Sequence, residues 1–226
     1  MPPNVIPYLL IGVATVFFGI KAIIYYKKSR NTISLYFGIS GILIGIGTLF
    51  NSVPYVFTNQ ENALKICILI GDSFLYASIL VQTRLHWYYN NQNTPFWVYF
   101  APVFALIAFI EVVYVVTLPA NSFTYVNNIA YVPVNPVVAW LSAAACLMFV
   151  ATGLQTVVRA ARLNSGRLKI RLFIIGLAFI LGGLIASYNY AILQGVNNDF
   201  TIVGYTAAVG LLLIAVLVLT RKKFQK

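Results

Sequence analysis

The chain has 226 residues, 61% of them hydrophobic and only 8% charged, and its 15 Lys and Arg outweigh 4 Asp and Glu for a net charge of +11. Soluble domains carry about 25% charged residues, so this composition excludes a surface dressed for water. The mean hydropathy of +0.87 points instead to a chain whose main solvent is lipid.

The apolar runs predict seven membrane-spanning helices, over residues 7–26, 32–50, 62–83, 95–118, 136–158, 171–193 and 200–220. Each approaches the ~20 residues that a bilayer's hydrocarbon core requires. Every connection is short except 119–135, so the expectation is a single all-α integral membrane domain over residues 1–226. The N-terminal stretch MPPNVIPYLL lacks a basic n-region and does not read as a cleaved signal peptide.

Span 1 is followed by Lys27, Lys28 and Arg30, and Lys21 lies close enough to the same end to snorkel there. Span 2 reads LYFGISGILIGIGTLF, in which Gly41 and Gly45 form a small-xxx-small step that admits a neighbouring backbone. Span 3 contains the sharpest chemical signal. Asp72 sits inside LKICILIGDSFLYASIL, ten residues from the start of the span, which at 1.5 Å per residue places it about 15 Å deep, close to midplane. A charged group at the bilayer centre costs about 2.5–3.5 kcal/mol on insertion scales. Asp72 is therefore expected to point into the bundle, either as part of a ligand, ion or proton site or as a protonated acid tying helices together through Tyr76, Ser73 or Asn189. Lys65 shares its helical face two turns nearer the surface.

Span 4 carries Glu111, expected to face Asp72 across adjacent antiparallel helices. The connection after it contains FTYVNNIAYVPV, two short strand-like runs about Asn127-Asn128. Asn tolerates the left-handed conformation of a two-residue hairpin, so a small extracellular hairpin is expected there, with Tyr125 and Tyr131 on the bundle mouth. Span 6 has Gly176, Gly182, Gly183 and Ala186 for a second tight crossing, and ends in SYNYAIL, where Ser187, Tyr188, Asn189 and Tyr190 either line an outer pocket or form an interfacial belt. Laying span 2 over span 6 pairs Gly45 with Gly182, and the same offset pairs LVQTR at 80–84 with LVLTR at 217–221. That reads as a 3+1+3 parallel repeat about span 4.

The cations decide orientation. Arg84, the group Arg159, Arg162, Arg167, Lys169 and Arg171, and the terminal Arg221, Lys222, Lys223 and Lys226 all fall on the face of Lys27, leaving only Lys65 opposite. The positive-inside rule then puts the N-terminus outside and the C-terminus in the cytoplasm of a multi-pass cell-membrane protein. The net charge is a topology signal facing anionic headgroups, and no basic-aromatic patch marks nucleic-acid binding.

Absences narrow the chemistry. His86 is the only histidine, which excludes a histidine-built metal site, a bis-histidine haem and a histidine base for serine proteolysis. A second Asp in a facing span, needed by an aspartyl protease, is missing, and span 7 has no lysine for a retinal Schiff base. Cys67 and Cys146 lie at different depths and read as buried thiols. The expectation is a non-enzyme with no cofactor.

The stretch RAARLNSGRLKIRLFIIGLAFILGGLIASYNYAILQGVNNDFTIVGYTAAVGLLLIAVLVLTRK resembles the seven-helix membrane input region of bacterial sensor histidine kinases. A basic link, a span ending in an Asn-aromatic cluster, a short Asp-containing loop and a Gly/Leu-rich last span occur in that order. GDSFLYASILVQTRLHWYYN is similar to that family's third span and following turn. The resemblance implies signalling through the last helix into a cytoplasmic kinase, but RKKFQK after Thr220 supplies no output domain, so a separate cytoplasmic partner is expected. Arg84, His86, Arg162 and Arg167, at the basic turns, are the expected contacts. Two other readings stay open, a small transporter using Asp72 and a structural subunit of a membrane complex.

Overall fold

The computed structural model describes residues 5–52, 61–89, 96–117, 124–126, 129–131, 135–164, 166–191 and 199–220. Among the described residues seven helices follow one another: α1 Val5–Ser29, α2 Thr32–Ser52, α3 Glu61–Tyr89, α4 Phe100–Thr117 after a 3-10 turn at Phe96–Tyr99, α5 Pro136–Ala161, α6 Gly166–Ala191 and α7 Asp199–Thr220. Between α4 and α5 lie two strands, β1 Thr124–Val126 and β2 Ile129–Tyr131, paired antiparallel with Val126 opposite Ile129. This is the hairpin expected about Asn127-Asn128; the side chains of Tyr125 and Tyr131 lie outside the described residues. Each helix packs on the next in sequence, α1 also packs on α7 to close the ring, and α3 crosses inside it to meet α5.

The bundle is turned inside out relative to a soluble one. On α1 the exposed residues are Leu10, Val13, Phe17, Ile20 and Ile24, a stripe at helical spacing, while Thr15 and Ala22 are buried. On α4, Ala101, Ala105 and Ala108 face inward, while Val103, Leu106 and Ile110 face outward. Small residues inside and large apolar ones outside is the pattern of helices that pack closely in lipid. Buried hydroxyls bond their own helix one turn back, as in Thr15 to the Ile11 carbonyl at 2.7 Å and Thr152 to the Met148 carbonyl at 2.9 Å. Five helical segments, Tyr8–Ser29, Thr32–Ser52, Lys65–Tyr89, Pro136–Ala161 and Leu168–Ala191, are long and apolar enough to cross a membrane. The fold is an all-helical bundle of membrane character.

The α1–α2 connection is only Arg30 and Asn31. Arg30 takes a left-handed conformation (φ 55°) and donates to the Tyr26 carbonyl at 2.7 Å, closing α1. The Asn31 side chain then accepts from the Ile33 amide at 3.0 Å and opens α2.

Two helix crossings are built alike. A Cβ on Gly19 would meet the Gly38 carbonyl at 2.7 Å, and one on Gly153 would meet the Gly176 carbonyl at 2.6 Å. Across these contacts Gly38 faces Ile23 and Gly176 faces Val157; further along, Gly45 faces Val16 and Gly183 faces Val150. The α1 and α5 members of each pair differ by 134 positions and the α2 and α6 members by 138. The partner of Gly45 is thus Gly183, one residue beyond the Gly182 read from the sequence. A Cβ on Gly182 would touch only Ala208, at 3.8 Å.

Candidate functional site

Asn51 is the penultimate residue of α2, and its amide nitrogen donates to the Asp72 carboxylate at 2.8 Å. The contact needs a glycine at 71: a Cβ there would land on Asn51 Oδ1, which packs against the α3 backbone without a hydrogen-bond partner of its own. One turn further along α3, Tyr76 is buried with its hydroxyl within hydrogen-bonding reach of Ser142 on α5 and Tyr190 on α6. Tyr190 lies within electrostatic range of Asp72, Tyr76, Cys146 and Tyr205. Tyr205 in turn meets Tyr8 edge-on, with ring centroids 6.2 Å apart. Asn189 is buried beside them, and Ser187 ties α6 to α5 through the Ala143 carbonyl at 2.9 Å. Six helices thus contribute to one polar, tyrosine-rich layer around a single carboxylate.

The position of this layer corrects the depth expected for Asp72. Asn51 lies 19 residues past Thr32, about 28 Å along α2, which at ~1.5 Å per residue nearly spans a bilayer core. Tyr190 is likewise one residue from the end of α6, Tyr8 lies in the first turn of α1 and Ser142 in the second turn of α5. Asp72 therefore sits toward the hairpin end of the bundle, level with the last turn of α2. The 29 residues of α3 reach about 44 Å, so that helix projects past the end of α2, and a count of ten residues from Asn62 does not measure depth in the bundle.

Lys65 is half-buried on the projecting part of α3, two turns beyond Asp72. Glu111 is half-buried on α4, and among the described residues no hydrogen bond joins it to Asp72.

From mid-bundle to the opposite, basic end, α3 is fastened a second time. Gln82 donates to Ser40 of α2 at 2.6 Å, Gln155 and His86 are 3.2 Å apart, and the Tyr89 and Thr156 hydroxyls are 3.3 Å apart. Arg159 donates to the Tyr89 carbonyl and lies 4.2 Å over its ring, satisfying the last carbonyl of α3 and placing a cation at its negative dipole end. His86 is only 2% exposed, so it fastens α3 to α5 and does not present itself to a partner. Arg84 is exposed, stacked 3.9 Å over Trp87, and Arg162 is exposed as the C-cap of α5. The Arg167 side chain lies outside the described residues.

Between the two polar layers α3 presents Ile79, buried among Ala105, Ala145 and Met148. Ser78 lies at the same level, but its hydroxyl is bonded to the Leu75 carbonyl at 2.6 Å. The layers are separated by hydrocarbon.

Chemically, the Asp72 site can hold a proton or a small cation, since its carboxylate receives one neutral amide donor and the surrounding hydroxyls can turn to accept or donate. Among the described residues no three of His, Cys, Asp and Glu come together to hold a metal ion. Asn51, Ser142, Tyr8 and Tyr205 went unforeseen from the sequence; the one signal available was a polar residue in the last turn of span 2, on the same face as the SYNYAIL cluster of span 6. Compared with family models, curated proteins and solved structures, the chain matches none.

Proposed function

We propose that this chain is a receptor-like sensing module of the cell membrane. All seven helices cross, with the hairpin end outside and the basic end in the cytoplasm. Occupancy of the Asp72 layer by a proton or small ligand shifts α3, and the shift is read at the Gln82–Tyr89 end by a separate cytoplasmic partner contacting Arg84, Arg162 and Arg167. One observation carries this reading. A single helix holds the carboxylate layer near one face and the Ser40, Gln155, Thr156 and Arg159 fastening near the other. A change in one layer has a rigid element through which to bias the other.

The resemblance to the seven-helix input region of sensor kinases belongs to this proposal, as does the 3+1+3 repeat. The repeat is supported by the twin glycine crossings, whose offset of 138 also brings Asn51 onto Asn189. Such a repeat would put an asparagine from each half at the same layer. The position of Asp72 away from midplane and the apolar level at Ile79 count against a transport pathway.

The test is hydrogen–deuterium exchange on the whole chain in lipid nanodiscs, wild type against Asp72→Asn. Changed protection at residues 82–89 and 155–161 supports the reading. Change confined to a turn on either side of Asp72 counts against it, and solute flux abolished by the same substitution in vesicles would favour a transporter.

A further inference from the structure

The outward side of α4 carries a polar pair that the Asp72 layer does not use. Val103, Ile107, Ile110 and Tyr114 are exposed at intervals of four, three and four residues, so they share one face of the helix. That is the spacing with which two helices mesh in a left-handed pair. Glu111 lies at the edge of the same face, half-buried, one turn after Ile107 and one turn before Tyr114. It stands 11 residues past Phe100 and six before Thr117, about 16 Å and 9 Å from the two ends of α4. Helical Cα–Cβ bonds tilt toward the N-terminus, which for α4 is the basic end. The Glu111 stem therefore leaves the backbone heading away from the hairpin end and its water.

Among the described residues, neither the Glu111 carboxyl nor the Tyr114 hydroxyl takes part in a hydrogen bond or an ion pair. An acid at that level is costly unless it meets a partner, and a lipid tail offers none. Glu111 lacks a donor and Tyr114 lacks an acceptor, so each has what the other needs. A cation from another protein would answer Glu111 and leave Tyr114 unused. A second copy answers both at once, because a two-fold axis along α4 makes every Glu111–Tyr114 contact occur twice. We propose that two copies of this chain pair in the membrane through α4, the Glu111 carboxyl of each accepting from the Tyr114 hydroxyl of the other. The pairing rests on α4 crossing the membrane and on nothing else in the sensing proposal.

The test is energy transfer between donor- and acceptor-labelled copies of the whole chain in liposomes, followed as the protein is diluted into lipid. Transfer should saturate as expected for a dimer. Tyr114→Phe removes both donors and should raise the protein-to-lipid ratio at half-dimerisation about tenfold. Glu111→Leu should weaken pairing at least as much, with no further loss on adding Tyr114→Phe. Glu111→Gln, which still accepts, should keep most of it, and Tyr99→Phe, an exposed hydroxyl beyond the other end of α4, should change nothing. In a Cys67→Ala/Cys146→Ala background, oxidation should link copies of the Ile107→Cys variant, but not of Val13→Cys on the exposed stripe of α1. Melting identifies any variant that fails to fold, and the two cysteine variants then decide the matter. A monomer at every dilution, or pairing indifferent to Tyr114→Phe and Glu111→Leu in folded protein, overturns the proposal. Equal linking of the two cysteine variants would mean random collision and overturn it as well. Labelling of the Ile107→Cys variant by a charged maleimide in intact liposomes would put this face of α4 in water, which removes the crossing of α4 along with the pairing.

Discussion

Asn51 and Asp72, 21 residues apart in sequence, meet at 2.8 Å where the last turn of α2 lies against the middle of α3. Gly71 makes the meeting possible by leaving room for the Asn51 amide. The pair fixes how far α3 projects past α2 and sets the level of the tyrosine layer.

Gly71→Ala should therefore destabilise the protein by about 1–3 kcal/mol, the usual cost of overpacking. In an Asn51→Ala background the added methyl meets only the Gly47 carbonyl, at 3.0 Å, and the cost should fall. A double-mutant cycle on thermal or denaturant unfolding in nanodiscs measures the coupling, expected at about 0.5–3 kcal/mol. Additive effects would show that Asn51 does not occupy the space beside Gly71.

The twin crossings should respond alike. Gly38→Val and Gly176→Val each drive a branched side chain into backbone, where a Cβ would already lie 3.0 Å and 2.8 Å from the facing carbonyls of Gly19 and Gly153. Each should cost several times more than Gly210→Ala, where a Cβ meets nothing within 4 Å. Gly210→Ala itself should be neutral or stabilising by about 0.5–1 kcal/mol. Melting temperatures of the three variants decide it, and a large difference between Gly38→Val and Gly176→Val would argue against equivalent crossings.

Arg30 holds a left-handed conformation that glycine adopts without strain. Arg30→Gly should raise stability by up to about 1 kcal/mol, read as a higher melting temperature in neutral detergent. A fall would mean that the Arg30 side chain contributes more than its backbone costs.

Removing Arg159 should loosen the basic end of α3. Arg159→Met keeps much of the side-chain bulk but loses the hydrogen bond to the Tyr89 carbonyl and the cation over the Tyr89 ring, a loss of about 1.5–3 kcal/mol for a charge-assisted bond. Exchange of amides 85–89 should accelerate, and the turn about Asp72 should respond too, because coupling carried along α3 is reciprocal. Acceleration confined to 85–89 would show the two layers to be uncoupled and count against transmission along α3.

Much of the architecture was legible in the chain itself. Apolar runs of bilayer length, glycines spaced for close crossings and the Asn-Asn turn are local features, and local features survive in one dimension. Asp72 stood out as a candidate for the same reason, since an acid inside an apolar run is conspicuous wherever it lies. The level of Asp72 was not, because depth depends on how far one helix slides along another. The Asn51–Gly71 fit, the close approach of Gly47 to the Gly71 carbonyl and the Gln82–Ser40 bond fix that slide. His86 looked like an interfacial residue because it neighbours Arg84 and Trp87 in sequence, but a helix turns 100° per residue, and Gln155 claims its face. Sequence determined which segments avoid water, since that is a property of side chains summed along a run. Tertiary structure decided which polar groups face one another, because their partners come from helices whose register no single segment encodes.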